Sequence, residues 1–218
     1  MPLPTQPTRQ SALAFLVLFH ILVIIASNYL VQLPITLFGL HTTWGAFSFP
    51  FIFLATDLTV RLLGKSQARA VVAKVMLPAL VASYVVSVLF QEGSFQGAAS
   101  LGEFNSFVLR ISLASFLAYV VGQLLDIQVF DRLRQLPQWW IAPSAAIVVG
   151  NLLDTLVFFS VAFWRSENAF MAENWVEIAA VDYAVKIAIS LMLFVPLYGV
   201  LLNRLLALLA KPLPAPVR

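Results

Sequence analysis

Six stretches of mostly apolar residues occupy most of this 218-residue sequence, each close to the ~20 residues that a helix needs to cross a hydrocarbon layer of roughly 30 Å. Charged residues make up 11% of the chain and hydrophobic residues 61%, whereas soluble domains have about 25% and about 45–50%. A globular protein of this composition would expose large apolar patches to water. The sequence therefore excludes a soluble domain, a disordered chain and a nucleic-acid-binding module, and it predicts a lipid bilayer as the solvent.

The predicted fold is an all-α integral membrane protein with six transmembrane helices in a single domain, residues 1–218. The first apolar stretch exceeds the roughly 7–15 residues of a signal-peptide core, and no A-x-A cleavage site follows, so we expect it to remain as a helix. The predicted spans are approximately 12–33, 44–63, 71–91, 105–125, 139–163 and 177–203.

Positive charges predict the orientation. If both termini are cytoplasmic, ten of the 13 Lys and Arg residues lie on that side, as the positive-inside rule requires. Arg110 and Arg165 then lie outside, and Lys186 lies within a span. The ten are Arg9, Arg61, Lys65, Arg69, Lys74, Arg132, Arg134, Arg204, Lys211 and Arg218.

Ionisable residues within the spans are candidate functional residues, because a charge at the bilayer centre costs about 2.5–3.5 kcal/mol on insertion scales. Asp57 lies on the second span, Asp154 on the fifth, and Asp182 and Lys186 on the sixth. Asp182 and Lys186 are four residues apart and can neutralise each other. For that pair, a structural ion pair and a functional site are both open interpretations.

Small and polar residues recur at helical spacing on the fourth span. Such a stripe serves either close helix packing or a polar cavity, and we favour packing for its serines. The same face can pack within one chain or between two, and we favour a homodimer. The stripe comprises Ser112, Ser115, Tyr119, Gly122, Gln123 and Asp126.

The two halves of the chain correspond weakly. Pro50 precedes Asp57 on the second span and Pro143 precedes Asp154 on the fifth. With three helices per half, the second half is inserted upside down, as in a 3+3 inverted-topology repeat with a binding site near the midplane. Proline is also common in membrane helices without any repeat.

Three function classes compete, and the sequence favours a small-molecule transporter over an enzyme or a scaffold. Two aspartates on different helices resemble an acid–base pair. In GNLLDTL and ATDLTV, however, the aspartates lack beside them the glycine and tyrosine that a resemblance to intramembrane aspartyl proteases would require. HExxH, GxSxG and phosphate-binding glycine loops do not occur in the sequence. A scaffold needs packing residues but no costly charges. We predict no enzyme activity, no metal site and no cofactor.

Several long segments resemble the queuosine-precursor transporters of the bacterial inner membrane, in the vitamin-uptake-transporter-like group. In the wider group the second helix resembles "P, aromatic or aliphatic residues, T-D, then E-x-x-G"; Asp57 and Gly64 keep this pattern, but Arg61 replaces the acidic residue. A substrate of distant members is therefore not carried over. The segments are SNYLVQLPITLFG, HTTWGAFSFPFIFLATDLTVRLLG, GNLLDTLVFFSVAFWRS, ENWVEIAAVDYAVKI and PLYGVLLN.

The resemblance implies import of 7-cyano-7-deazaguanine and 7-aminomethyl-7-deazaguanine across the inner membrane, for queuosine modification of tRNA. It implies no contact with nucleic acid. The chain would act alone as a facilitator, as a proton-coupled carrier, or as the substrate-binding membrane subunit of a multi-component system.

We expect the substrate in a central cavity between the halves. A deazaguanine has a flat ring, an N–H edge that a carboxylate accepts in a two-pronged way, and a carbonyl acceptor. Lys186 either keeps Asp182 charged or moves a proton. The predicted site residues are Asp57 and Asp154 for the purine edge, Asn28 and Asn151 as amide partners, Trp44, Phe47 or Trp164 as stacking faces, and Asp182 with Lys186.

Overall fold

The computed structural model describes residues 6–30, 33–37, 39–91 and 94–209, and it confirms the all-α membrane class. A π-helical turn, Ser190–Phe194, joins the last two helices, and a 3-10 turn, Ala98–Gly102, precedes the fifth. The α-helices are α1 (Gln6–Leu30), α2 (Gly45–Ser48), α3 (Pro50–Leu63), α4 (Lys65–Leu89), α5 (Ser106–Leu133), α6 (Ile141–Phe163), α7 (Ala169–Ile189) and α8 (Val195–Leu209).

Two short antiparallel hairpins lie in the connections. Strand β1 (Pro34–Leu37) pairs with β2 (Leu40–Thr43), with Pro34 opposite Thr43. Strand β3 (Phe90–Gln91) pairs with β4 (Ser94–Phe95). Each hairpin has two strands, so within the described ranges the helices alone build the body of the protein.

Six helical segments in the described ranges are long and apolar enough to cross a membrane. Their outward surfaces carry exposed apolar residues such as Phe15, Leu77 and Met192, whereas polar residues such as Gln123 and Asn151 are buried. This reverses the pattern of a soluble protein, because only the interior offers hydrogen-bond partners in a bilayer. The segments are Leu13–Leu30, Gly45–Leu63, Lys65–Leu89, Ser106–Leu133, Ile141–Phe163 and Ala169–Arg204.

Two helix ends differ most from the predicted spans. Helix α5 continues past residue 125 to Leu133, because its polar last turns stay helical and Asp131 forms ion pairs with Lys65 at 3.6 Å and Arg134 at 2.9 Å. Helix α7 begins at Ala169 rather than 177, because the Asn168 side chain caps it by accepting from the Met171 amide at 3.1 Å. Residues 31 and 32, in the predicted first span, lie outside the described residues.

Helices α5 and α6 approach each other through glycines. A Cβ at Gly122 would lie 3.0 Å from the Cβ of Asp154 and 3.2 Å from the Gly150 carbonyl oxygen. A Cβ at Gly150 would lie 2.8 Å from the Phe53 ring and 3.1 Å from the Cβ of Asp126. Each glycine thus lies against an aspartate of the other helix, and this contact sets the positions of both carboxyl groups.

Gly150→Ala should lower the unfolding temperature in detergent. The added methyl group cannot fit without displacing Phe53 or Asp126, and such overpacking costs about 1–3 kcal/mol. Thermal unfolding of the purified protein measures the effect. Gly102→Ala is the matched control, because a Cβ there meets nothing within 4 Å; equal stability of both variants would contradict the close contact.

Candidate functional site

A buried ion cluster lies between α6 and α7. The Lys186 ammonium group is 2.7 Å from Asp182 Oδ2 and 3.5 Å from Asp154 Oδ2. It also donates to the Thr155 hydroxyl at 3.3 Å and lies 5.0 Å from the centre of the Phe49 ring. The three charged side chains are at most 5% exposed. The expected Asp182–Lys186 pair therefore forms, and Asp154 joins it from the neighbouring helix.

The ion cluster forms one wall of a small pocket among α2, α5, α6 and α7, with Phe49 between α2 and α3. Its free space is about 10 Å³, room for about one water molecule. A bicyclic ligand therefore fits only when the surrounding helices move apart. The lining residues are Gly45, Phe49, Ser115, Ala118, Asp154, Phe158, Phe159, Asp182 and Lys186.

The charges of the pocket favour a ligand rich in N–H donors. As ionised groups, two carboxylates face one ammonium, so one negative charge is left over. A cation or a donor edge with two N–H groups can complete the hydrogen bonding of a carboxylate through charge-assisted bonds. Phe158 and Phe159 provide apolar ring faces beside these groups. The pocket is therefore suited to a flat heterocycle with an amidine-like edge.

The backbone next to the ion cluster is irregular. Helix α7 passes into the π-helical turn shortly after Lys186, and Pro196, at the start of α8, has no N–H to donate. Single π-helical turns occur frequently at functional sites. This turn is therefore the place where the last span can bend.

The pocket brings together three predicted site residues, Asp154, Asp182 and Lys186. Asn28 lies one hydrogen bond away: its amide donates to Ser83 at 2.7 Å, and its carbonyl accepts at 2.9 Å from Ser115, which lines the pocket. The stripe that includes Ser115 packs against other helices of the same chain.

Besides Asn28, five predicted site residues do not line this pocket. Asp57 and Asn151 are buried outside the lining, and the Asn151 side chain donates to the Ile147 carbonyl at 2.9 Å. Trp44 and Trp164 are 49% and 57% exposed. Phe47 packs against Trp44, with ring centres 5.6 Å apart.

Sequence reasoning missed two groups of residues. Phe49, Phe158 and Phe159 line the pocket but were not predicted as site residues, although Phe158 lies one turn after Asp154 on the same face of its helix. Asp126 was placed just past the end of a span, yet it is fully buried and interacts electrostatically with Asp57. Its place on the polar stripe of α5 was the signal that pointed inward.

The six-span bundle and its buried charged pocket define the class of a multi-pass membrane transporter. Residues 43–201 match the family model described as putative vitamin uptake transporter. The chain is 61% identical over 206 residues to the "Queuosine precursor transporter" of Escherichia coli strain K12, covering 94% of this chain and 93% of the relative. The chain belongs to this transporter family.

Two further relatives have similar names. A "Probable queuosine precursor transporter" of Haemophilus influenzae is 52% identical, over 94% of this chain and 92% of the relative. One of Bacillus subtilis strain 168, with the same name, is 30% identical over 77% of this chain and 75% of the relative. No solved structure matches the chain.

Lys186→Met should destabilise the protein strongly. Removing one member of a buried charge cluster leaves uncompensated carboxylates and costs about 3–5 kcal/mol. The matched control is Lys65→Met, because Lys65 is 26% exposed where it pairs with Asp131 and surface pairs contribute about 0–1 kcal/mol. Thermal unfolding in detergent compares the two, and a larger effect at Lys65 would contradict the importance of the cluster.

Proposed function

We propose that this protein imports queuosine precursors, specifically 7-cyano-7-deazaguanine and 7-aminomethyl-7-deazaguanine. The observation that carries this proposal is the 61% identity, over nearly the whole chain, to a protein named queuosine precursor transporter. The buried pocket supports it independently, since its carboxylates and rings suit a flat base with an N–H edge.

Within the pocket, Asp154 accepts the two N–H groups of the purine edge. Lys186 stays with Asp182 at 2.7 Å. The Ser115 hydroxyl donates its proton to Asn28, so its oxygen accepts a further N–H of the base. Phe158 and Phe159 stack on the ring. In the aminomethyl precursor the ammonium group offsets the extra negative charge of the ion cluster.

Transport requires the pocket to open in turn to each side of the membrane. The proposed setting is the inner membrane, with both termini cytoplasmic, as the positive-inside rule predicts. Five further residues remain predicted substrate contacts for an opened conformation: Asp57, Asn151, Trp44, Phe47 and Trp164. A homodimer also stays a prediction.

A thermal melt tests binding and substrate class together. A deazaguanine at about one hundred times its dissociation constant should stabilise the protein by about 2.7 kcal/mol, while adenine, which lacks the N–H edge of guanine, should not. A scaffold would show no shift with any base. Stabilisation without uptake in liposomes would indicate a binding subunit that needs partners.

Asp154→Asn should raise the dissociation constant of either deazaguanine at least about tenfold, because a hydrogen bond to a charged group contributes about 1.5–3 kcal/mol. Isothermal calorimetry on purified protein measures it. Asp131→Asn is the control, since Asp131 pairs with Lys65 and Arg134 outside the pocket. Unchanged affinity in Asp154→Asn would contradict the assignment.

The stacking faces have their own test. Phe159→Leu should weaken binding by about 1–3 kcal/mol, the range for stacking of one base on an aromatic ring. Trp164→Leu is the comparison variant, because it tests whether the base stacks on the predicted tryptophan instead of on the pocket rings. If only the Trp164 variant loses affinity, the substrate stacks at the span end and the pocket assignment fails.

A further inference from the structure

A second pair of acidic side chains lies on α3 and α5. Asp57 and Asp126 are each 0% exposed. Thr56, next to Asp57, donates to Gln123, three residues before Asp126, so the two aspartates are neighbours across the contact of α3 and α5 and interact electrostatically. In the described part of the chain, no N–H or O–H donor reaches any of their four oxygens. This differs from Asp154 and Asp182, which have the Lys186 ammonium beside them.

The neighbouring cation is already engaged elsewhere. Arg61, one turn along α3, donates to the Tyr198 hydroxyl at 3.0 Å and to the Arg134 carbonyl at 2.8 Å. Arg61 and Tyr198 act on Asp57 only through space. In the described part of the chain, no Lys, Arg or His forms an ion pair with either carboxyl of the pair.

Two neighbouring buried carboxylates without a donor cannot both stay charged in a low-dielectric interior. A single proton between them supplies the missing donor and removes one charge, as in other buried carboxyl pairs. A metal ion is a poorer occupant, because the described residues contain no group of three or more acidic, His or Cys ligands and hard cations take about six oxygen ligands.

The pair and the pocket share one helix contact. Gly122 lies against Asp154, and Gly150 lies against Asp126. On each helix the glycine and the aspartate are four residues apart, which is about 6 Å along the helix axis. These are Gly122 and Asp126 on α5, and Gly150 and Asp154 on α6. Movement of α5 against α6 therefore changes the surroundings of both acidic sites at once.

We infer that Asp57 and Asp126 form a proton-binding site that couples transport to the proton gradient. One proton is held between the two carboxyl groups, enters from the outer side and leaves to the cytoplasm as substrate crosses. A fully buried pair exchanges its proton with water only when α3 and α5 separate. The coupling half of this inference rests on the proposed function, whereas the shared proton does not.

The coupling is tested in liposomes that contain the purified chain. With the membrane potential clamped at zero and a gradient of one pH unit, acid outside, wild-type protein should accumulate 7-cyano-7-deazaguanine about tenfold if one proton enters per substrate. Asp126→Asn should lose this accumulation but keep exchange of labelled for unlabelled substrate. Asp131→Asn should accumulate normally. Accumulation that is independent of the pH gradient, or that requires sodium, would overturn the coupling.

Infrared spectroscopy tests the proton without any substrate. The carbonyl stretch of a buried protonated carboxyl should be present in the wild type and absent in both Asp57→Asn and Asp126→Asn, because the introduced amide donates to the remaining carboxylate. If the wild type lacks the band, the shared proton is refuted. If the band is present but no deazaguanine is carried, the proposed substrate and its coupling fail while the proton site stands.

The wild type alone also decides the coupling if the variants do not fold. Adding 7-cyano-7-deazaguanine to weakly buffered liposomes without a gradient should make the outer medium more alkaline as protons enter with substrate. Substrate entry without a pH change would overturn the coupling.

Discussion

The close contact of α5 and α6 is the constraint on which both acidic sites depend. Gly122 and Gly150 let the two backbones approach until each glycine lies against an aspartate of the opposite helix. Larger side chains would push the helices apart and move Asp126 from Asp57 and Asp154 from Lys186. In a bilayer, where little hydrophobic force drives helices together, small residues provide this packing, and here the same residues bring the polar groups to their partners.

Hydropathy predicted the spans because lipid-facing surfaces must be apolar along about 20 residues. It failed at the ends of α5 and α7, where polar residues continue a helix that no longer needs to be apolar. Asp126 and Glu173 lie in these extensions. Capping by Asn168 fixes the start of α7 through one local hydrogen bond, a signal that an average over a long window removes.

The candidate site was predictable only in its charged members. A charge within a span has to find a partner, so Asp154, Asp182 and Lys186 identified the pocket before its geometry was known. The apolar lining was not predicted, because Phe158 and Phe159 are two of 18 phenylalanines in the chain, and only Phe158 continues the face of α6 that carries Asn151 and Asp154. Trp44 and Trp164, chosen as stacking faces, are about half exposed, as expected of aromatic residues at membrane interfaces.

Arg61 explains why the departure from the wider family pattern matters. The pattern has an acidic residue at this position. Arg61 donates to the Tyr198 hydroxyl and to the Arg134 carbonyl, and an ionised acidic residue could donate to neither. It would also add a third acidic side chain to this region, one turn along α3 from Asp57. Arg61 instead ties α3 to α5 and α8 and stacks over the Phe130 ring at 5.6 Å. Its charge acts favourably on Asp57 without supplying a hydrogen bond, so the negative charge that remains beside a shared proton is stabilised while the proton itself can still leave.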